Sequence, residues 1–107
     1  MSGSSGTSFG VSSKSISCED LIIRTQLASP DPDVLVDIHA GDVLYVKLLN
    51  ATGPIQAITM DGRVAGAILT SNPTQLINCI SAGTEYQAKV FSINGGDCQI
   101  TVYCAAR

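Results

Sequence analysis

The stretch from Asp42 to Tyr103 constrains this chain most: five strand-like runs surround one short, well-punctuated helix. The helical segment runs from Asn72 through Pro73, Leu76, Ile77, Cys79 and Ile80 to Gly83. Asn72 can cap the first turn, because its side-chain oxygen can accept an orphan backbone N–H. Pro73 suits the first helical position, where no N–H is needed. Gly83 suits the left-handed residue just past the end. A helix over Pro73–Ala82 is therefore expected, with Leu76, Ile77 and Ile80 on its apolar face.

The other runs alternate with a period of two, which marks strands with one face buried. In the run Asp20 to Leu27, Leu21, Ile23, Thr25 and Leu27 oppose Ile22, Arg24 and Gln26. Val43 to Leu49 carries apolar residues on both faces, with Val43, Tyr45 and Lys47 opposite Leu44, Val46 and Leu48. Ile55 to Met60 and Val64 to Leu69 flank the hairpin signal Asp61-Gly62. Gly66 removes a side chain from the second of these, which predicts a bulge or a close approach by the helix. Glu85 to Ile93 sets Tyr86, Ala88, Val90 and Ser92 against Gln87, Lys89, Phe91 and Ile93. Asn94-Gly95-Gly96-Asp97 is a turn, and Cys98 to Cys104 follows, with Gln99, Thr101 and Tyr103 opposite its cysteines. Between the first two strands, Asp33 to Ile38 fits a helical turn capped by Asp33, or else a short strand; the helical turn is favoured.

Six short strands with hairpin connections predict a mainly β protein: a small antiparallel six-stranded barrel or roll with one short α-helix. Closure removes exposed sheet edges, a liability at 45% hydrophobic and only 14% charged residues. At 107 residues the chain reads as one domain over 18–107. Residues 1–17 are Gly/Ser-rich and read as a flexible tail or linker.

Charge narrows the function. The net charge is −3, which disfavours non-specific attraction to phosphate backbones and anionic membranes. No apolar run approaches the ~20 residues of a membrane span. Without a basic start and an apolar h-region, the expected compartment is cytoplasmic. There, the thiols of Cys18, Cys79, Cys98 and Cys104 are expected to be reduced, and their spacing suits packing rather than metal. Neither a metal nor a cofactor is expected. His39, the single histidine, has no triad motif around it and reads as a loop residue. Asp31, Asp33 and Asp37 do not match a calcium loop and read as turn and cap residues. Gly95-Gly96 lacks the following Lys-Ser/Thr of a phosphate loop. The basic residues form no run. Tyr45 with Lys47 and Lys89 with Phe91 nevertheless pair a ring and a cation two apart on one strand face, a weak pointer to nucleic acid.

From Gly41 to Gly83 the layout resembles a HIRAN domain. The resemblance lies in Gly41-Asp42-x-Leu44, then Ile55-Gln56-Ala57-Ile58, then Asp61 to Ile68, then the helix with Leu76 and Gly83. It implies a small β-barrel of the kind attached to DNA-remodelling enzymes or found alone in bacteria, able to hold single-stranded DNA ends. The loop Asn50-Ala51-Thr52-Gly53-Pro54 departs from the family's Asn/Asp-Pro-containing stretch.

The leading expectation is a non-enzymatic, bacterial or phage-type interaction module that binds a protein partner or self-associates through an apolar sheet face. The partner-binding candidates are Tyr45, Lys47, Lys89, Phe91, Ile93 and Tyr103, with no catalytic residue. The alternative is HIRAN-like binding of single-stranded DNA. A small enzyme or ligand-binding barrel using His39 and its neighbouring aspartates is a third reading.

Overall fold

The structure, a computed structural model, describes residues 17–105. The tail assigned to 1–17 thus lies outside the described residues but for Ser17. A 3-10 turn at Cys18–Asp20 leads into β1 (Ile23–Ala28). Then come α1 (Pro32–Leu35), β2 (Val43–Leu48), β3 (Ile55–Ile58) and β4 (Val64–Ile68). The chain ends with α2 (Pro73–Ser81), β5 (Tyr86–Asn94) and β6 (Asp97–Cys104). The six strands close into an antiparallel barrel in the order β1-β4-β3-β2-β5-β6.

Alternation decides what fills it. Leu44, Val46, Ala88, Val90, Ile100 and Val102 point inward from three neighbouring strands and are buried. Leu76 of α2 is completely buried against this core. Asn72 caps α2 by accepting the Gln75 N–H at 3.3 Å, and Gly83 takes the expected left-handed conformation, φ +105°. The segment after β1 is a helical turn, α1, but its cap is Asp31 rather than Asp33. Two prolines flank Asp31, and its side chain accepts the Asp33 N–H at 2.9 Å. Val34 and Leu35 then drop into the core.

Gly66 does sit beside a register shift, opposite Ala57. The close approach there comes from the end of β1, not from the helix. A Cβ on Gly66 would meet the Ala28 carbonyl at 3.1 Å, Leu27 Cβ at 3.2 Å and Pro30 Cα at 3.3 Å.

The cysteines depart from expectation. Cys98 and Cys104 are buried free thiols, and burial pushes the Cys98 thiol pKa up, as suits an inert packing group. Cys18 and Cys79, however, form a disulfide, with Cα atoms 5.7 Å apart. The lead-in to β1 crosses the end of the barrel where α2 packs, which brings together two thiols 61 residues apart. Tyr86 holds the same crossing by donating its O–H to the Cys18 carbonyl at 2.6 Å. Burial, with Cys104 and Glu19 as smaller influences, keeps the Tyr86 hydroxyl protonated by raising its pKa.

Candidate binding surface

The outer face of β1, β6, β5 and β2 collects most of the residues singled out from the sequence. Register places them in rows. Arg24 lies opposite Thr101, Thr101 opposite Lys89, and Lys89 opposite Val43. In the next row Tyr103 lies opposite Gln87, and Gln87 opposite Tyr45. Directly opposed side chains on one face sit within contact distance of each other. Tyr103 donates its O–H to Gln87 Oε1 at 3.1 Å, which fixes the centre of that row. Lys47 stands one step along β2, its Nζ 6.0 Å from the centroid of the Tyr45 ring. A third row begins where Gln99 Nε2 donates to Gln26 Oε1 at 3.0 Å.

Phe91 is the most prominent group on this face, 75% exposed. Alternation from inward-pointing Val90 turns it outward, and a β-bulge sets in at the same place. Val90 pairs with Ile100 and Ser92 with Gln99, so Phe91 is the extra residue. Depressions of about 400 and 360 Å³ flank the ring, one reaching Lys89 and Tyr103, the other Arg24 and Gln99.

The bulge also overturns one expectation. Simple alternation groups Ile93 with Phe91, Lys89 and Gln87. The inserted residue reverses the parity, so Ile93 pairs with inward-pointing Cys98 and packs half-buried against the core. Ile93 lines a separate groove with Pro30, Pro32 and Leu35. Tyr45, Lys47, Lys89, Phe91 and Tyr103 are brought together; Ile93 is not. Arg24, Gln26, Gln87 and Gln99 belong to the surface and were missing from the candidate set. Their outward phase was readable from alternation, but their adjacency depends on the β1–β6–β5 order.

Electrostatics sets this face apart. The four strands contain no acid except Asp97 at the hairpin, while Asp42 and Glu85 stand just outside their ends. The described ion pairs are those of Arg63 with Asp37 and Asp61, and His39 Nδ1 lies 3.9 Å from Asp42 Oδ2. Arg24, Lys47 and Lys89 take part in none of them. An acidic chain thus keeps three of its cations on one acid-poor, ring-bearing surface.

The remaining candidates lie elsewhere. His39 is an exposed loop residue whose backbone N–H donates to Asp42 Oδ2 at 2.9 Å. Asp61 accepts from Thr59 Oγ1 and from Arg63 Nε, and Arg63 reaches on to Asp37. The Thr59 hydrogen bond, followed by those from Arg63, holds the Asp61 carboxyl below its usual pKa. Its bonds to Asp37 and Asp61 push the Arg63 pKa up. This arrangement ties a hairpin to α1's trailing turn. Among the described residues, no group of three or more His, Cys, Asp or Glu could hold a metal ion. No described helix is long and apolar enough to cross a membrane.

No protein-family model, curated protein or solved structure matches this chain.

Proposed function

We propose that this chain is a non-enzymatic interaction barrel that contacts a protein partner, or a second copy of itself, through the outer face of β1, β6, β5 and β2. The observation that carries this reading is Phe91, a large ring 75% exposed at a bulge within an acid-poor surface. Bulges recur beside functional sites. Protein interfaces are built on aromatic anchors and arginine, with carboxylates depleted. Phe91, Tyr45, Tyr103 and Arg24 have that composition.

A second reading is single-stranded nucleic acid, also implied by the HIRAN resemblance. The specific observation in its favour is the interleaving of Arg24, Lys89 and Lys47 with rings on one face, the composition of a stacking platform. The net charge of −3 opposes it less than the bulk value suggests, because the acids lie off this face.

The cytoplasmic setting read from the sequence conflicts with the Cys18–Cys79 bond. Disulfides persist in oxidising surroundings, so the bond supports such a setting over the cytoplasm.

Sedimentation velocity over rising concentration, alongside anisotropy of a labelled oligo-dT at low and high salt, tests both readings. Self-association that Phe91→Asp abolishes without unfolding supports the first. A monomer that binds oligo-dT, loses it with salt and loses it again in Lys89→Glu supports the second. A monomer indifferent to oligo-dT, with Phe91→Asp unchanged in a screen against acidic protein surfaces, sinks both.

A further inference from the structure

The barrel closes at a seam that opens part-way along. β2 pairs with β5 at Val43–Lys89, Leu44–Ala88 and Tyr45–Gln87, and there the ladder stops. β2 itself runs on to Leu48, paired with β3 on its other side. Strand alternation fixes where its main chain points. The Asp42 carbonyl accepts from the Val90 N–H on the β5 side, and the Leu49 N–H donates to the Pro54 carbonyl on the β3 side. Even-numbered residues of β2 therefore face β5. The N–H and C=O of Leu48 point into a seam where no described strand lies opposite them.

A groove of about 590 Å³ occupies that place, with Leu48, Ile80 and Tyr86 among its lining residues. Lys47 and Glu85 rim it from opposite sides. Continuing the Tyr45–Gln87 register would pair Lys47 with Glu85 directly. They form no described ion pair, and β5 begins only at Tyr86, one residue past Glu85.

We propose that this seam is a strand-addition site for an extended segment of a partner protein. One strand inserted beside β2 would give the Leu48 donor and acceptor their partners, and main-chain bonds of that kind supply affinity whatever the side chains. Alternate side chains would face Leu48, Ile80 and Tyr86. The others would face outward between the two rims, where an acidic side chain beside Lys47 and a basic one two positions on beside Glu85 complement both charges. The site is separate from the Phe91 surface and shares with it only Tyr45, Lys47 and Gln87 at the rim.

The probe is the synthetic peptide acetyl-TVEVKVT-amide, and the readout is residue-resolved hydrogen exchange of the full chain. In the free protein the Leu48 amide exchanges fast for a strand residue. Saturating peptide slows it at least about tenfold, with the β2–β3 ladder amides unchanged. Glu85→Lys, an exposed change, weakens this peptide and improves acetyl-TVEVEVT-amide. Leu48→Pro, which deletes the seam-facing N–H and spares the β3 ladder, loses binding of a fluorescein-labelled copy of the peptide, read by anisotropy. Three results overturn the proposal: a Leu48 amide already protected in the free monomer, no protection in either the wild type or Glu85→Lys with its matched peptide, or protection that appears with protein concentration alone. The last would make the occupant a second copy.

Discussion

Phe91 and Ile93 stand two residues apart in β5, yet they lie on opposite sides of the barrel wall. Phe91 is open to solvent, while Ile93 packs half-buried opposite Cys98. Their substitutions should therefore separate binding from stability. Phe91→Ala removes an exposed ring and should change unfolding free energy by no more than about 0.5 kcal/mol, while weakening association. Ile93→Ala should cost about 1–2 kcal/mol, below the range for a fully buried isoleucine, and leave association intact in the folded protein. Urea unfolding and sedimentation of both variants check this. Equal stability losses would place the two side chains on the same face.

The bulge also marks where the sequence stops being legible. Strand positions, the Asp61-Gly62 hairpin and the Asn72–Gly83 helix punctuation each rest on local chemistry, so they are readable one segment at a time. In Val90-Phe91-Ser92-Ile93 simple alternation sets polar Ser92 inward and apolar Ile93 outward, a mismatch that the extra residue resolves, but no glycine advertises where that residue lies. The outer surface is harder still. Arg24, Thr101 and Lys89 become neighbours only through the β1–β6–β5 order, so their charges form no run along the chain. The early end of the β2–β5 ladder has no signature in either strand. Non-local pairing decides all of these features.

The Cys18–Cys79 bond is of the same kind, and it closes a long loop. In the chain-entropy account, a cross-link over 61 residues restricts the unfolded chain by about 4 kcal/mol, of which proteins typically realise about 2–4. Cys18→Ser with Cys79→Ser should lower stability by that amount. A reducing agent should do the same to the wild type and nothing to the double variant. Denaturant titrations with and without dithiothreitol provide the measurement. Matching curves for all four samples would mean that the two sulfurs are not joined in solution.

Asp61 gives a pH-dependent contact with a definite sign. Its folded pKa is lowered, chiefly by Thr59 and then by Arg63, so its contribution is complete above the ordinary carboxylate range near about pH 4. That contribution is lost as the pH falls through the lowered folded value. Thr59→Ala and Arg63→Ala should each move the Asp61 titration back up toward the ordinary range, Thr59→Ala by more. Carboxyl-carbon chemical shifts followed from neutral to acid pH decide the matter. An Asp61 that titrates normally in the wild type would remove the basis for this order.

Gly66 tests the packing of the β1–β4 corner. A methyl group there would press on the Ala28 carbonyl at 3.1 Å and on Pro30 Cα at 3.3 Å, both backbone atoms, and on Leu27 Cβ at 3.2 Å. Backbone cannot rotate away as a side-chain tip can, so the corner itself must shift. That corner is also tied by the Asp31 N–H, which donates to the Ala65 carbonyl at 2.9 Å, so a shift disturbs α1 as well. Against this, alanine restricts the unfolded chain and would stabilise by about 0.4–1 kcal/mol at an open site. Overpacking of this kind typically costs about 1–3 kcal/mol, so the steric effect should win. Gly66→Ala should therefore lower the midpoint of thermal unfolding and speed hydrogen exchange at the Asp31 amide. Gly96→Ala, where nothing lies within 4 Å of the added Cβ, serves as the control and should lose no stability. A Gly66→Ala protein as stable as the control would show that β1 does not approach β4 this closely.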